Sequence, residues 1–189
     1  MKGKKIISLM LALAVVSTMI LGVPAFATDL SKDAEALAAV YDYVEAMDSQ
    51  DWALPNEWGP SWEAESLKAG AQCVKMVIWS LIVDPWYANL GFDMKNNNDG
   101  SYWPNTEQAS CTQAINAVGG IGMESSDGNI FYASYRAGNK DSYGDKHIGR
   151  CLQWGSQKHA QDGRDYFYIL DYYYSYSGKS TGAIQEFTY

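Results

Sequence analysis

Apolar residues recur at helical spacing through the first half of the chain, and that period breaks down in the second half. Leu37, Tyr41, Val44 and Met47 fall on one face of a predicted helix over roughly 32 to 48. Ser31 is its N-cap, and Asp33 and Glu35 lie in a first turn where acidic side chains meet the positive end of the helix dipole. Leu67, Ala71, Val74, Ile78 and Leu81 make a second, longer stripe. That helix starts at Pro60-Ser61 and stops at Asp84-Pro85, because the residue before a proline disfavours helical backbone. Residues 89–112 are polar and broken, with Asn96-Asn97-Asn98-Asp99-Gly100 reading as a surface loop. Beyond it, Ala114 to Met123 and Asn129 to Tyr135 are strand candidates, joined by the hairpin signal Ser125-Ser126-Asp127-Gly128. Two short helices follow: one from about Leu152 to Gln161, closed by Gly163, and one from about Tyr166 to Tyr174, capped by Asp165. N-terminal helices, a central hairpin or small sheet and C-terminal short helices predict an α+β fold in one compact domain.

The first 27 residues change the picture because they read as a secretory signal rather than as structure. Lys2, Lys4 and Lys5 form the charged segment, Ile6 to Val23 the apolar run, and Ala25-Phe26-Ala27 the small-x-small cleavage pattern. Cleavage after Ala27 leaves 162 of 189 residues, enough for one domain, and places the protein outside the cell or in its wall with no membrane span retained. The leader holds three of the 14 Lys and Arg and none of the 22 Asp and Glu, so the mature chain carries about −11. Such a surface repels polyphosphate, which excludes nucleic acid and anionic lipid as partners and leaves uncharged polymers such as glycans open. Seven Trp and 14 Tyr suit that opening, since sugar rings stack on aromatic faces, although most single rings are expected in the core.

Three cysteines cannot all pair within one chain. Cys73 lies on the apolar face of the second helix and reads as a small buried hydrophobe, which leaves Cys111 and Cys151 as a possible disulfide. No Cys-x-x-Cys spacing accompanies His147 or His159, so neither zinc nor another cofactor is indicated.

Candidate chemistry concentrates in Leu54-Pro-Asn-Glu-Trp-Gly-Pro-Ser-Trp62. Glu57 stands between two helix breakers and beside two tryptophans, just ahead of the second helix. A carboxyl pressed against indole holds its proton above the usual value of about 4.3, because desolvation disfavours the charged form. A glutamic acid protonated near neutral pH can act as a general acid, the first step of glycosidic bond cleavage. Glu63 and Glu65 fall in the first turn of the second helix, where a structural role is expected.

Three stretches resemble one family. Asn56-Glu57-Trp58-Gly59-Pro60-Ser61-Trp62 followed by Glu65-Ser66-Leu67-Lys68-Ala69-Gly70-Ala71 is similar to a Glu, then Pro-Ser-Trp, then Glu-Ala-Leu-Lys-Ala-Gln-Ala pattern. Gly128 to Gly138 is similar to the segment that ends in that family's Ser/Gly-rich turn. His147 to Gly155, with Ile169-Leu170 and Tyr172-Tyr173-Tyr174 after it, resembles a Gly-His-Gly-Val-Gly-Met-Ser-Gln-Trp-Gly block and an Ile-Leu-x-x-Tyr-Tyr end. The family is that of stage II sporulation protein D and the LytB amidase enhancer, the SpoIID/LytB domain, and the resemblance spans Leu54 to about Gly178. Lys146, Ile148 and Arg150 replace glycines of that block, which predicts a less permissive backbone there.

What the resemblance implies is a peptidoglycan-directed protein of a Gram-positive, spore-forming bacterium. Its sporulation branch consists of lytic transglycosylases that cut the MurNAc to GlcNAc linkage of peptide-free glycan strands and leave a 1,6-anhydro end. The family's catalytic Glu falls on Glu57; His147 and Gln153 fall on its glycine-rich block as substrate contacts or supports of the acid. Trp58 and Trp62 are read as cleft walls or core anchors, with Trp58 assigned to the cleft. The partners expected are glycan strands and a cell-wall amidase or other hydrolase. A non-catalytic amidase enhancer or wall-binding module, with Glu57 satisfying backbone N–H groups at a helix start, is the competing reading. A hydrolase pairing Glu57 with Asp51 is a third.

Overall fold

The computed structural model describes residues 49–84 and 106–189. The leader, the helix predicted over roughly 32 to 48 and the Asn96 to Gly100 loop lie outside the described residues. Within them the chain forms an α+β domain of helices and small sheets around one core, the architecture its pattern predicts.

Helix α1 runs Ser49–Glu57 and helix α2 runs Ala64–Val83. The second is the hub. Its sequence is apolar on nearly every face, and Ser66, Leu67, Ala69 through Trp79 and Leu81 are buried, so it behaves as a core helix with neighbours all round. By length and composition it could cross a membrane, yet 78% of its apolar window is covered by the rest of the domain. It packs against α1, against α3 (Ala109–Ala117), and against α4 (Gln153–Gln161) and α5 (Tyr166–Tyr174). The last two helices match their predicted bounds within a residue. Asp165 Oδ1 accepts from the Tyr168 amide at 2.7 Å as an N-cap, and Gly163 at φ +78° ends the helix before it.

Two expectations give way. Glu57, expected between two helix breakers ahead of the second helix, is instead the last residue of α1, which runs through Pro55 because Ala53, Leu54 and then Trp58 are buried against α2. The strand expected from Ala114 is helix α3, whose buried Cys111, Ala114 and Val118 follow the helical period. Strand β1, Ile121–Glu124, begins only after Gly119-Gly120.

The predicted hairpin turn is made: the Ser125 amide donates to the Asn129 carbonyl at 2.9 Å. The two flanks nevertheless do not pair. Instead β1 pairs antiparallel with the C-terminal strand β4, Gln185–Thr188, with Gly122 opposite Phe187. A Cβ at Gly122 would stand 2.4 Å from the Phe187 ring. Phe187 and Tyr189 then meet Trp79 of α2 edge-on, at 5.6 and 4.9 Å between centroids. Long-range aromatic packing wins over the local hairpin. The chain after the turn pairs elsewhere, β2 (Tyr135–Arg136) lying parallel to β3 (Cys151–Leu152).

All three cysteines are buried, and the Cys111 to Cys151 disulfide is not formed. Cys151 neighbours Cys73; burial, and then the Cys73 thiol, push the Cys151 thiol well above its usual range. Lys75 is likewise buried, its Nζ donating at 2.6 Å to the Val118 and Ile121 carbonyls that end α3 and start β1. Desolvation lowers its pKa from 10.5 to about 7, against the opposing pull of Glu186. A lowered lysine destabilises the fold below its folded pKa, and that cost is relieved as pH rises toward the unfolded value. Stability is therefore expected to rise by about 2 kcal/mol between about pH 7 and 9. In Lys75→Met the rise should vanish; urea midpoints at the two pH values measure it, and an unchanged rise in the variant would refute the assignment.

Candidate active site

Glu57 ends α1, and the next residue turns inward. Trp58 is 1% exposed, and its ring lies over Gly70 of α2, where a Cβ would come within 2.5 Å of it. The indole meets Tyr135 of β2 edge-on at 5.0 Å, and its Nε1 donates to Ser156 Oγ at 3.0 Å. Ser156 Oγ also donates to the Gln153 carbonyl at 2.7 Å and meets Ser66 Oγ at 2.8 Å. These bonds lock the first turns of α4 onto the segment from Glu57 to Ser66. Gln157 adds a further one, its Oε1 accepting from the Glu63 amide at 2.9 Å.

Gln153, the first residue of α4, completes the arrangement. Its Nε2 donates to the Glu57 backbone carbonyl at 2.7 Å and to Glu57 Oε2 at 2.9 Å, so one buried amide fixes both main chain and carboxyl. Burial raises the Glu57 pKa; the Gln153 hydrogen bond favours the anion and offsets part of that rise. The position adds to the first effect, because leftover carbonyls at a helix C-terminus oppose a negative charge. Tyr135 keeps its proton, held by burial first and by the Glu57 carboxylate second, and so presents a neutral phenol near the acid.

Trp62 folds back over Gly59 and stacks obliquely on Trp154, with ring centroids 4.6 Å apart. Both rings are half-buried, and Lys140 Nζ stands 5.9 Å from the Trp154 centroid. The pair forms a partly open aromatic surface one residue along from Gln153.

The predicted residues therefore separate into three groups. Glu57 and Gln153 come together, and Trp62 stacks on Trp154, the residue after Gln153. Trp58, assigned to the cleft wall, is a core anchor, since a ring 1% exposed with its N–H bonded to Ser156 has no face left for a ligand. His147 lies elsewhere: it is exposed, its amide donates to the Tyr172 carbonyl at 2.9 Å, its ring bonds the Ser175 carbonyl, and it meets Tyr176 edge-on. None of these partners belongs to the Glu57 cluster. In that loop the three positions where glycine is replaced do not fall on left-handed backbone. The left-handed positions are His147 (φ 56°) and Gly149 (φ 65°), so Lys146, Ile148 and Arg150 occupy ordinary backbone and their side chains cost nothing there.

Glu63 stands at the N-cap position of α2 without a side-chain capping bond, and Glu65, in the first turn, bonds Lys68 at 2.6 Å and the Tyr166 amide at 2.9 Å. The Asp51 side chain lies outside the described residues. Among the described residues no three His, Cys, Asp or Glu side chains converge to hold a metal ion. Sequence reading missed Tyr135, Trp154 and Ser156. Trp154 and Ser156 lie one and three residues beyond Gln153 at the start of α4, and a helical wheel drawn from Gln153 would have flagged Ser156. No family model, no curated protein and no solved structure matches the chain.

Proposed function

We propose that the protein is exported to the cell wall and cleaves peptidoglycan glycan there as a lytic transglycosylase, with Glu57 as the single acid and base. The observation that carries this is the Glu57–Gln153 contact at 2.9 Å. It joins two stretches that resemble the SpoIID/LytB domain and are nearly a hundred residues apart, and the third supplies Tyr135 beside them. A half-buried carboxyl with a raised pKa, oriented by an amide whose chain neighbour Trp154 forms a partly open pair with Trp62, has the parts that such a reaction needs.

The steps follow from one carboxyl. Protonated Glu57 gives its proton to the glycosidic oxygen as the C1–O bond breaks, and the GlcNAc hydroxyl leaves. The Glu57 carboxylate then takes the proton from the C6 hydroxyl of the MurNAc ring, whose oxygen closes on C1. No second carboxylate and no activated water enters. Trp62 and Trp154 offer stacking faces for the strand, and Gln153 holds the acid in position. Incubation with peptide-free glycan strands should give anhydro-MurNAc ends by mass spectrometry. Reducing ends alone would favour a hydrolase, and no cleavage would favour the amidase-enhancer or wall-binding module. Against the structural role assigned to Glu57 in that module, its place is the end of a helix, where carbonyls rather than N–H groups are left over.

Gln153 acts through Glu57, so its variant should alter the pH profile as well as the rate. In Gln153→Met the bond that favours the anion is lost, and the Glu57 pKa rises further. The alkaline limb of kcat/KM, where the acid deprotonates, should then move to higher pH while kcat falls about tenfold. A fall in kcat with an unmoved limb would reduce Gln153 to packing.

A further inference from the structure

A second feature lies on the other face of β2, one residue along the chain from Tyr135. Tyr135 and Gln153 stand beside Glu57, and their chain neighbours Arg136 and Leu152 line an open cleft of about 620 Å³. The cleft is completed by Gly138, Asn139, Ser142, Gly144, Asp145, Ile148 and Arg150, with buried Leu152 as its floor. Arg136 and Arg150 are both exposed, and neither meets a carboxylate at ion-pair distance among the described residues. Residues 136–150 hold four Lys and Arg against two Asp, in a chain whose formal charge is −8. Two unpaired guanidiniums on one cleft of an acidic protein call for an anion from outside.

The geometry points to a carboxylate-binding subsite formed by Arg136 and Arg150, which grips an acidic group on the glycan; this rests on the glycan reading above. The planar fork of a guanidinium matches a carboxylate with two parallel hydrogen bonds. Asp145 on the same cleft lowers the net positive charge that the two arginines present. Two sources of such a carboxylate exist on peptidoglycan: the lactyl carboxylate of a peptide-free MurNAc, and the terminal carboxylate of a stem peptide.

The test uses the full chain, isotopically labelled, and three probes. N-acetylmuramic acid and N-acetylglucosamine differ by the lactyl carboxylate, and acetyl-D-Ala-D-Ala carries the peptide one. N-acetylmuramic acid should shift the Gly138 and Gly144 amides and the Arg136 and Arg150 Nε–H signals, binding at least about tenfold more tightly than N-acetylglucosamine, with a preference that weakens as salt rises. Arg136→Gln/Arg150→Gln, at two exposed positions, should lose the discrimination. Shifts from the peptide alone would keep the subsite and assign it to stem peptides. Equal response to the neutral sugar, no shifts with any probe, or discrimination that survives in the double variant would overturn it. Failure to form anhydro ends would sink the transglycosylase reading while leaving these shifts in place, so the two can fail separately.

Discussion

Glu57→Gln is expected to lower the rate of glycan cleavage by about 10² to 10⁴-fold while leaving the fold and strand binding intact. The amide keeps the shape of the side chain, and its carbonyl oxygen can still accept from Gln153 Nε2, so the junction of α1 and α4 stays bonded. What it loses is the proton. Because burial already disfavours the Glu57 anion, removing the charge does not remove a stabilising one, and the urea midpoint near neutral pH should stay level or rise. Two readouts thus decide the role of this residue. Loss of anhydro-MurNAc product with retained strand binding identifies a general acid. Retained cleavage would end that assignment, and a fall in stability would make Glu57 a structural residue instead.

The range of the forces at each element decides how much of it is legible in the sequence. Helix α2 was legible because its stripe from Leu67 to Leu81 is local and sustained, and α5 because Asp165 caps it with a bond three residues on. The hairpin was not, because the partner of β1 is chosen by Phe187 and Tyr189 packing on Trp79, contacts more than sixty residues from β1. Local turn chemistry at Ser125 was read correctly and still did not decide the pairing. Glu57 and Gln153 were legible through their neighbours and through the resemblance, but their contact was not, since nothing in either segment encodes a partner nearly a hundred residues away. His147 fell in the same stretch as Gln153, and the resemblance alone could not separate them. The backbone does: His147 is bonded to the end of α5, whereas Gln153 begins a helix aimed at Glu57.

The sharpest contrast is between the two tryptophans that follow Glu57, and it sets the second large expected effect. Trp58→Ala should cost about 3 to 5 kcal/mol of stability. It empties the space between Gly70, Leu54 and Tyr135, and it leaves Ser156 without the indole N–H it accepts. Activity should fall with it, since the residue that follows Glu57 loses its anchor and Gln153 no longer meets a fixed carboxyl. Trp62→Ala removes a half-buried ring whose partner Trp154 remains, so the stability loss should be about 1 kcal/mol, with strand binding weakened about tenfold. Urea denaturation paired with binding to peptide-free strands reads both. Were Trp58 the cleft wall and Trp62 the anchor, the two rows of results would exchange places. The geometry forbids that exchange because a side chain pinned between α2, β2 and α4 can support the acid beside it only by staying out of the substrate's path.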